Sequence, residues 1–307
     1  MGNMTNKEII SNLKGVFAPV VTPFNRRGGI DEKLFEENLR RYTGIGLGGL
    51  LVSGSTGEMP YLSAAERLKL VELARKIIRP PELLLVGTGV ETTRGSLELS
   101  REAIARGADV VLVVTPHYYK PRMDTPTLLA HYRTVADGVR RPLVVYNIPP
   151  FTGIRMDPQA IAALARHPNI VGVKESSADF AYQRKVLKAI PRSFRLFCGS
   201  AQIFLASLTA GAAGGILGQA NFAPDLCIAL YEAFLHHRRK EAVDYQVRLV
   251  PLVDKISRPY GVAGIKAAVD LVGDAGGKPR PPLLPVSAAQ RRIISDALRD
   301  ARKGLDF

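Results

Sequence analysis

Four apolar stretches of this chain lead into side chains that could do covalent chemistry. Asn169-Ile170-Val171-Gly172-Val173-Lys174-Glu175-Ser176-Ser177 reads as a buried strand, rich in β-branched residues, that closes on a lysine. A lysine drawn out of water holds its proton less tightly, and the neutral amine attacks carbonyl carbon. For that stretch alone, a lysine that ends a strand and points into solvent is the competing reading. Leu143-Val144-Val145-Tyr146-Asn147 carries a phenol near its end, residues 110–115 lead into Tyr118, and residues 48–52 lead into Ser55-Thr56. An amine, two phenols and two hydroxyls suit Schiff-base catalysis. The amine adds to a ketone and loses water, and the resulting iminium acts as an electron sink. A phenol linked through a hydroxyl to a second phenol can carry the protons. Backbone N–H groups of the small Gly54-Ser55-Thr56-Gly57 loop can hold a carboxylate.

These groups act together only if the fold brings them to one place. Strand patterns fall at 15–21, 48–52, 83–86, 110–115, 143–147, 169–175, 195–198 and 214–217. Helical patterns separate them, opening at the N-cap Asp31, at the capping box Ser63-Ala64-Ala65-Glu66, and over 92–105, 126–137, 158–165, 182–190 and 201–210. Such alternation predicts a parallel sheet with helical crossovers, and eight units in a row favour a closed (β/α)8 TIM barrel over a doubly wound sheet. Beyond about residue 222 only helices are expected, at 227–236, 242–253, 263–272 and 288–301. The expected division is a barrel domain over 1–221 and a helical extension over 222–307 packed on it. In a barrel of this kind the active site lies at the carboxyl ends of the strands. Ser55, Thr56, Tyr118, Tyr146 and Lys174 all follow or end strands there.

Composition narrows the alternatives. The net charge of +14 is spread along 307 residues, and its densest run, His236-His237-Arg238-Arg239-Lys240, sits in a helical context. No nucleic-acid motif accompanies it, so no nucleic-acid partner is expected; attraction of small anions is a simpler use of the field. Cys198 and Cys227 form no disulfide framework or metal motif. Gly87-Thr88-Gly89 lacks the third glycine of a dinucleotide fingerprint, where Thr92 stands, and no phosphate-cradling loop or His-Glu-x-x-His occurs. No metal or nucleotide cofactor is expected. The N-terminus has no apolar core of a secretory signal, and Asn6 stands where lipidation after Met1-Gly2 requires Ser or Thr. The longest stretches free of both charge and side-chain amides, 42–57 and 203–218, fall short of the roughly 18–20 residues of a membrane span. A cytoplasmic enzyme is expected.

Taken together, Ala18-Pro-Val-Val-Thr-Pro-Phe24, Gly54-Ser-Thr-Gly-Glu58, Thr115-Pro-His-Tyr-Tyr119, Tyr146-Asn-Ile-Pro149, Val173-Lys-Glu-Ser176 and Gly199-Ser200 are specific. The chain resembles the dihydrodipicolinate synthase / N-acetylneuraminate lyase family of pyruvate-dependent class I aldolases over essentially its whole length. The resemblance implies that Lys174 forms the Schiff base with pyruvate, without another cofactor, and that Tyr146 moves protons beside it. It makes Ser55 the relay between Tyr146 and Tyr118, with Tyr118 lent to a neighbouring subunit's site in a homotetramer. Ser55 and Thr56 would hold the pyruvate carboxylate, and the main chain of Ile216 would line its site. Where the synthase branch has an arginine for the carboxylate of aspartate semialdehyde, this chain has Phe151. Lys120-Pro-Arg-Met123, His167-Pro-Asn-Ile-Val171 and Gly261-Val-Ala-Gly-Ile-Lys266 resemble the 4-hydroxy-2-oxoglutarate aldolase branch. That branch would place Ser176 near a distal carboxylate, although Phe151 departs from it as well. The expectation is a lyase that releases pyruvate from a 4-hydroxy-2-oxo acid. The alternatives are 4-hydroxy-tetrahydrodipicolinate synthase and, more remotely, a non-enzymatic barrel that binds anions or nucleic acid.

Overall fold

A computed structural model describes residues 4–305. The Met1-Gly2 start considered for lipidation lies outside them. Helix α1 (Asn6–Asn12) precedes β1 (Gly15–Pro19). There follow α2 (Glu32–Tyr42), β2 (Gly49–Val52), α3 (Ala64–Ile77), β3 (Leu83–Gly87), α4 (Thr93–Ala105), β4 (Val110–Val114) and α5 (Thr125–Val139). Next come β5 (Leu143–Asn147), the single turn α6 (Pro149–Thr152), α7 (Pro158–Leu164), β6 (Ile170–Glu175), α8 (Phe180–Ala189), β7 (Arg195–Cys198), α9 (Phe204–Thr209) and β8 (Gly214–Ile216). Four longer helices close the chain: α10 (Pro224–Leu235), α11 (Arg239–Leu252), α12 (Arg258–Leu271) and α13 (Ala288–Arg302).

The eight strands pair in parallel in sequence order, and β8 closes on β1, which is the barrel that the alternation predicts. Because side chains alternate across a strand, each strand supplies two cores. Phe17, Leu51, Leu85, Leu112, Val144 and Phe197 fill the interior, with Phe17 and Phe197 meeting edge to face at 5.7 Å. Their neighbours Val16, Leu50, Leu84 and Cys198 face outward under the helices. Replacing a fully buried ring such as Phe17 by alanine costs about 3–5 kcal/mol.

Two features were not expected. Helix α1 joins the interior cluster through Ile9 and Leu13. Its start is a capping box, Thr5 accepting from the Glu8 N–H while the Glu8 carboxylate accepts from Thr5. The helix expected from 263 begins earlier, at Arg258, and a π turn, Val253–Ser257, joins it to α11. Gly261, at φ 52° and ψ −137°, breaks the helical geometry there, which a residue without Cβ permits. Leu249, Leu252, Ile256, Ile265, Val269 and Ile294 from these helices share one hydrophobic cluster with the outer faces of β1 and β2.

Candidate active site

Strand register sets the chemistry-bearing groups side by side. In the β5–β6 ladder Tyr146 pairs with Lys174, and on the far side Lys174 pairs with Phe197, so phenol and amine project inward at one level. Both are deeply buried: Lys174 is 4% exposed and Tyr146 3%. Lys174 Nζ lies 4.3 Å from the centre of the Tyr146 ring. Among the described residues no carboxylate lies within ion-pair distance of it. The next side chain, Glu175, points the opposite way. There its carboxylate accepts from Ser177 N at 2.8 Å and Gln183 Nε2 at 2.8 Å, and burial raises its pKa. The strand thus presents an amine to the barrel mouth and a carboxyl group to the shell behind it.

Ser55 enters from the loop after β2. Its Oγ stands 3.4 Å from the Tyr146 hydroxyl, longer than a formed O–H···O bond, a looseness common before substrate arrives. Ser55, Thr56, Tyr146, Lys174, Ser176 and Ile216 line one cavity of about 210 Å³ at the carboxyl end of the barrel. Ser176 Oγ is buried with no hydrogen-bond partner, an unmet polar group of the kind a ligand satisfies. Phe151 stands at the rim with Pro150 and is 68% exposed. Tyr118 is not brought to this cavity. Its ring is 76% exposed and packs edge-on against Tyr119 at 5.0 Å. The loop is anchored all the same: Glu91 Oε2 accepts from His117 N at 3.0 Å and Tyr118 N at 2.9 Å.

The opposite wall was missed from the sequence. Gln219 follows β8, and Val253, Ser257, Gly261, Val262 and Ile265 come from the π turn and α12. Gln219 Nε2 donates to Ser257 Oγ at 2.8 Å. The break at Gly261 in an otherwise helical pattern was the available signal for this wall. Among the described residues, no three His, Cys, Asp or Glu side chains gather as metal ligands, and no helix is long and apolar enough to cross a membrane.

A closed (β/α)8 barrel whose carboxyl-end cavity encloses a buried lysine beside a phenol has the groups that Schiff-base chemistry requires. The family follows from comparison with known proteins. The model of the Dihydrodipicolinate synthetase family matches residues 12–301, and the chain belongs to that family. The chain is 38% identical over 284 residues to the 4-hydroxy-tetrahydrodipicolinate synthase of Acidiphilium cryptum, covering 92% of this chain and 97% of the relative. Among solved structures it is similar to YagE, a prophage protein of the same family from E. coli K12 in complex with pyruvate. The TM-score is 0.89 at 28% identity, over 94% of this chain and 99% of that one. Dihydrodipicolinate synthase from Thermotoga maritima superposes with a TM-score of 0.88 at 30% identity, over 94% and 98%. The protein is therefore a carbon–carbon lyase of a family that takes pyruvate as a lysine Schiff base and needs no external cofactor.

Proposed function

We propose that this enzyme is a pyruvate-forming class I aldolase acting on a 4-hydroxy-2-oxo acid, such as 4-hydroxy-2-oxoglutarate, with Lys174 as its Schiff-base residue. The reading is carried by the buried Lys174 amine held against Tyr146 with Ser55 beside it. The neutral amine adds to the substrate's C2 carbonyl, and the carbinolamine loses water to give an iminium. Tyr146 takes the proton of the C4 hydroxyl as the C3–C4 bond breaks. The aldehyde leaves, and the bonding pair passes into the enamine. Protonation at C3 and addition of water return Lys174 and release pyruvate. Ser55 relays protons between Tyr146 and the Tyr118 of a neighbouring subunit. The exposure of Tyr118 on its own chain supports that loan, and with it a homotetramer. Ser55 and Thr56 hold the pyruvate carboxylate, and the main chain of Ile216 lines its site. Ser176 meets the distal end of the substrate, with Phe151 at the rim.

A second reading, 4-hydroxy-tetrahydrodipicolinate synthase, is favoured by the name of the relative at 38% identity. Against it, Phe151 offers an apolar ring where that branch has a carboxylate-gripping arginine. Parallel assays separate the two. Pyruvate release from hydroxyoxoglutarate, without condensation of pyruvate and aspartate semialdehyde, supports the aldolase; the reverse pattern overturns it.

A further inference from the structure

Glu58 and Lys266 form an ion pair that the reaction does not use. Nζ lies 2.6 Å from Oε1, and both side chains are 0% exposed. Burying two charges is costly, and an apolar pair of like volume is often as stable, so stability alone does not account for them. All three Lys266 donors are engaged: by Glu58, by the Thr22 carbonyl at 2.8 Å and by the Lys278 carbonyl at 3.0 Å. The second Glu58 oxygen accepts from Arg280 N at 2.7 Å.

What Glu58 controls is the loop that carries Ser55 and Thr56. Its N–H donates to the Ser55 carbonyl at 3.1 Å, and the N–H of Met59 to the Gly54 carbonyl at 3.1 Å. Thr22 Oγ1 donates to the Gly57 carbonyl at 2.8 Å. Two residues with Cβ atoms bracket the loop in the left-handed region, Ser53 at φ 53° and Glu58 at φ 60°. Such conformations persist only where the surroundings over-determine them. Lys266, Thr22 and Arg280 are those surroundings. Lys266 also follows Ile265, which walls the cavity, so α12 touches the site from two directions.

We propose that Glu58 and Lys266 are a positioning pair: through them the C-terminal helices set the Ser55–Thr56 loop, and so the affinity for the carboxylate of the 2-oxo acid. This rests on the Schiff-base reading above. Borohydride trapping titrated against pyruvate tests it, because half-saturation reads carboxylate affinity without turnover. A wild-type chain that does not trap overturns the Schiff-base reading itself. In a trapping enzyme, the double variant Glu58→Gln/Lys266→Met removes both charges and leaves the Thr22 and Lys278 carbonyls without their donor, so Tm should fall while the fold is kept. It should need roughly 10- to 100-fold more pyruvate for half-saturation, the cost of a slightly misplaced binding group. The trapped fraction at saturation should reach the wild-type level. Wild-type half-saturation in a stably folded double variant overturns the proposal alone. Should that variant not fold, Thr22→Val deletes only the hydroxyl on Gly57. A rise in half-saturation supports the proposal, and an unchanged value with a lowered Tm overturns it.

Discussion

Replacing Gly199 by alanine tests the distal end of the cavity with one methyl group. A Cβ built there lies 1.8 Å from Ser176 Oγ, 2.8 Å from Ser176 Cβ and 3.0 Å from the Glu175 carbonyl. Non-bonded carbon contacts sit at about 3.5 Å or more, so the hydroxyl must withdraw by about 1.7 Å. Rotation about χ1 moves Oγ but leaves Cβ in conflict, so the ends of β6 and β7 must also part. They are tied by Gly199 N donating to Glu175 O at 2.7 Å. Overpacking of this kind costs about 1–3 kcal/mol, and at roughly 2–4 °C per kcal/mol Tm should fall by about 2–12 °C. If Ser176 bonds the distal end of the substrate, kcat/KM for its cleavage should fall about 10- to 100-fold. That is the worth of one hydrogen bond to a charged group, roughly 1.5–3 kcal/mol. Pyruvate release coupled to NADH oxidation measures the rate, and borohydride trapping with pyruvate alone should be unchanged. A lowered Tm with unaltered kcat/KM would remove Ser176 from the substrate contacts.

Tyr146 and His131 give two further tests. Tyr146→Phe keeps the ring against Lys174 but deletes its proton, and turnover should fall by about two to four orders of magnitude in steady-state assays; unchanged turnover takes Tyr146 out of the mechanism. His131 is buried, with Nδ1 2.9 Å from Thr93 Oγ1 and Nε2 unpartnered, and burial holds its pKa down to about 4 against 6.5 for the free side chain. Between those values the unfolded chain binds the proton and the folded one does not, so stability is lost as pH falls from about 6.5 towards 4, by roughly 3 kcal/mol. Urea midpoints compared with His131→Phe should show that slope shrinking in the variant; an identical slope would assign the acid sensitivity to other groups.

Much of this was legible in the sequence because it is local. Each strand is a short apolar run, several helices open on a side-chain cap, as at Asp31 and Ser63, and their alternation carries the barrel. Lys174, Tyr146 and Ser55 were legible because each ends or follows a strand, and a barrel gathers such positions. The wall formed by Gln219 and Ser257 was not, because it depends on how the C-terminal helices dock, which periodicity does not encode. Nor was the pairing of Glu58 with Lys266, 208 residues apart, since a lysine inside a helical pattern reads as solvated. The α1 capping box is local as well, since Thr5 and Glu8 stand three residues apart in the sequence.

The central claim is that Lys174 bonds pyruvate. Reduction with borohydride in the presence of pyruvate, then peptide mass analysis, tests it directly. A single reduced pyruvate adduct is expected on the peptide that holds Lys174, lost in Lys174→Ala. An unmodified Lys174 after reduction at saturating pyruvate, or an adduct that survives Lys174→Ala, would contradict it.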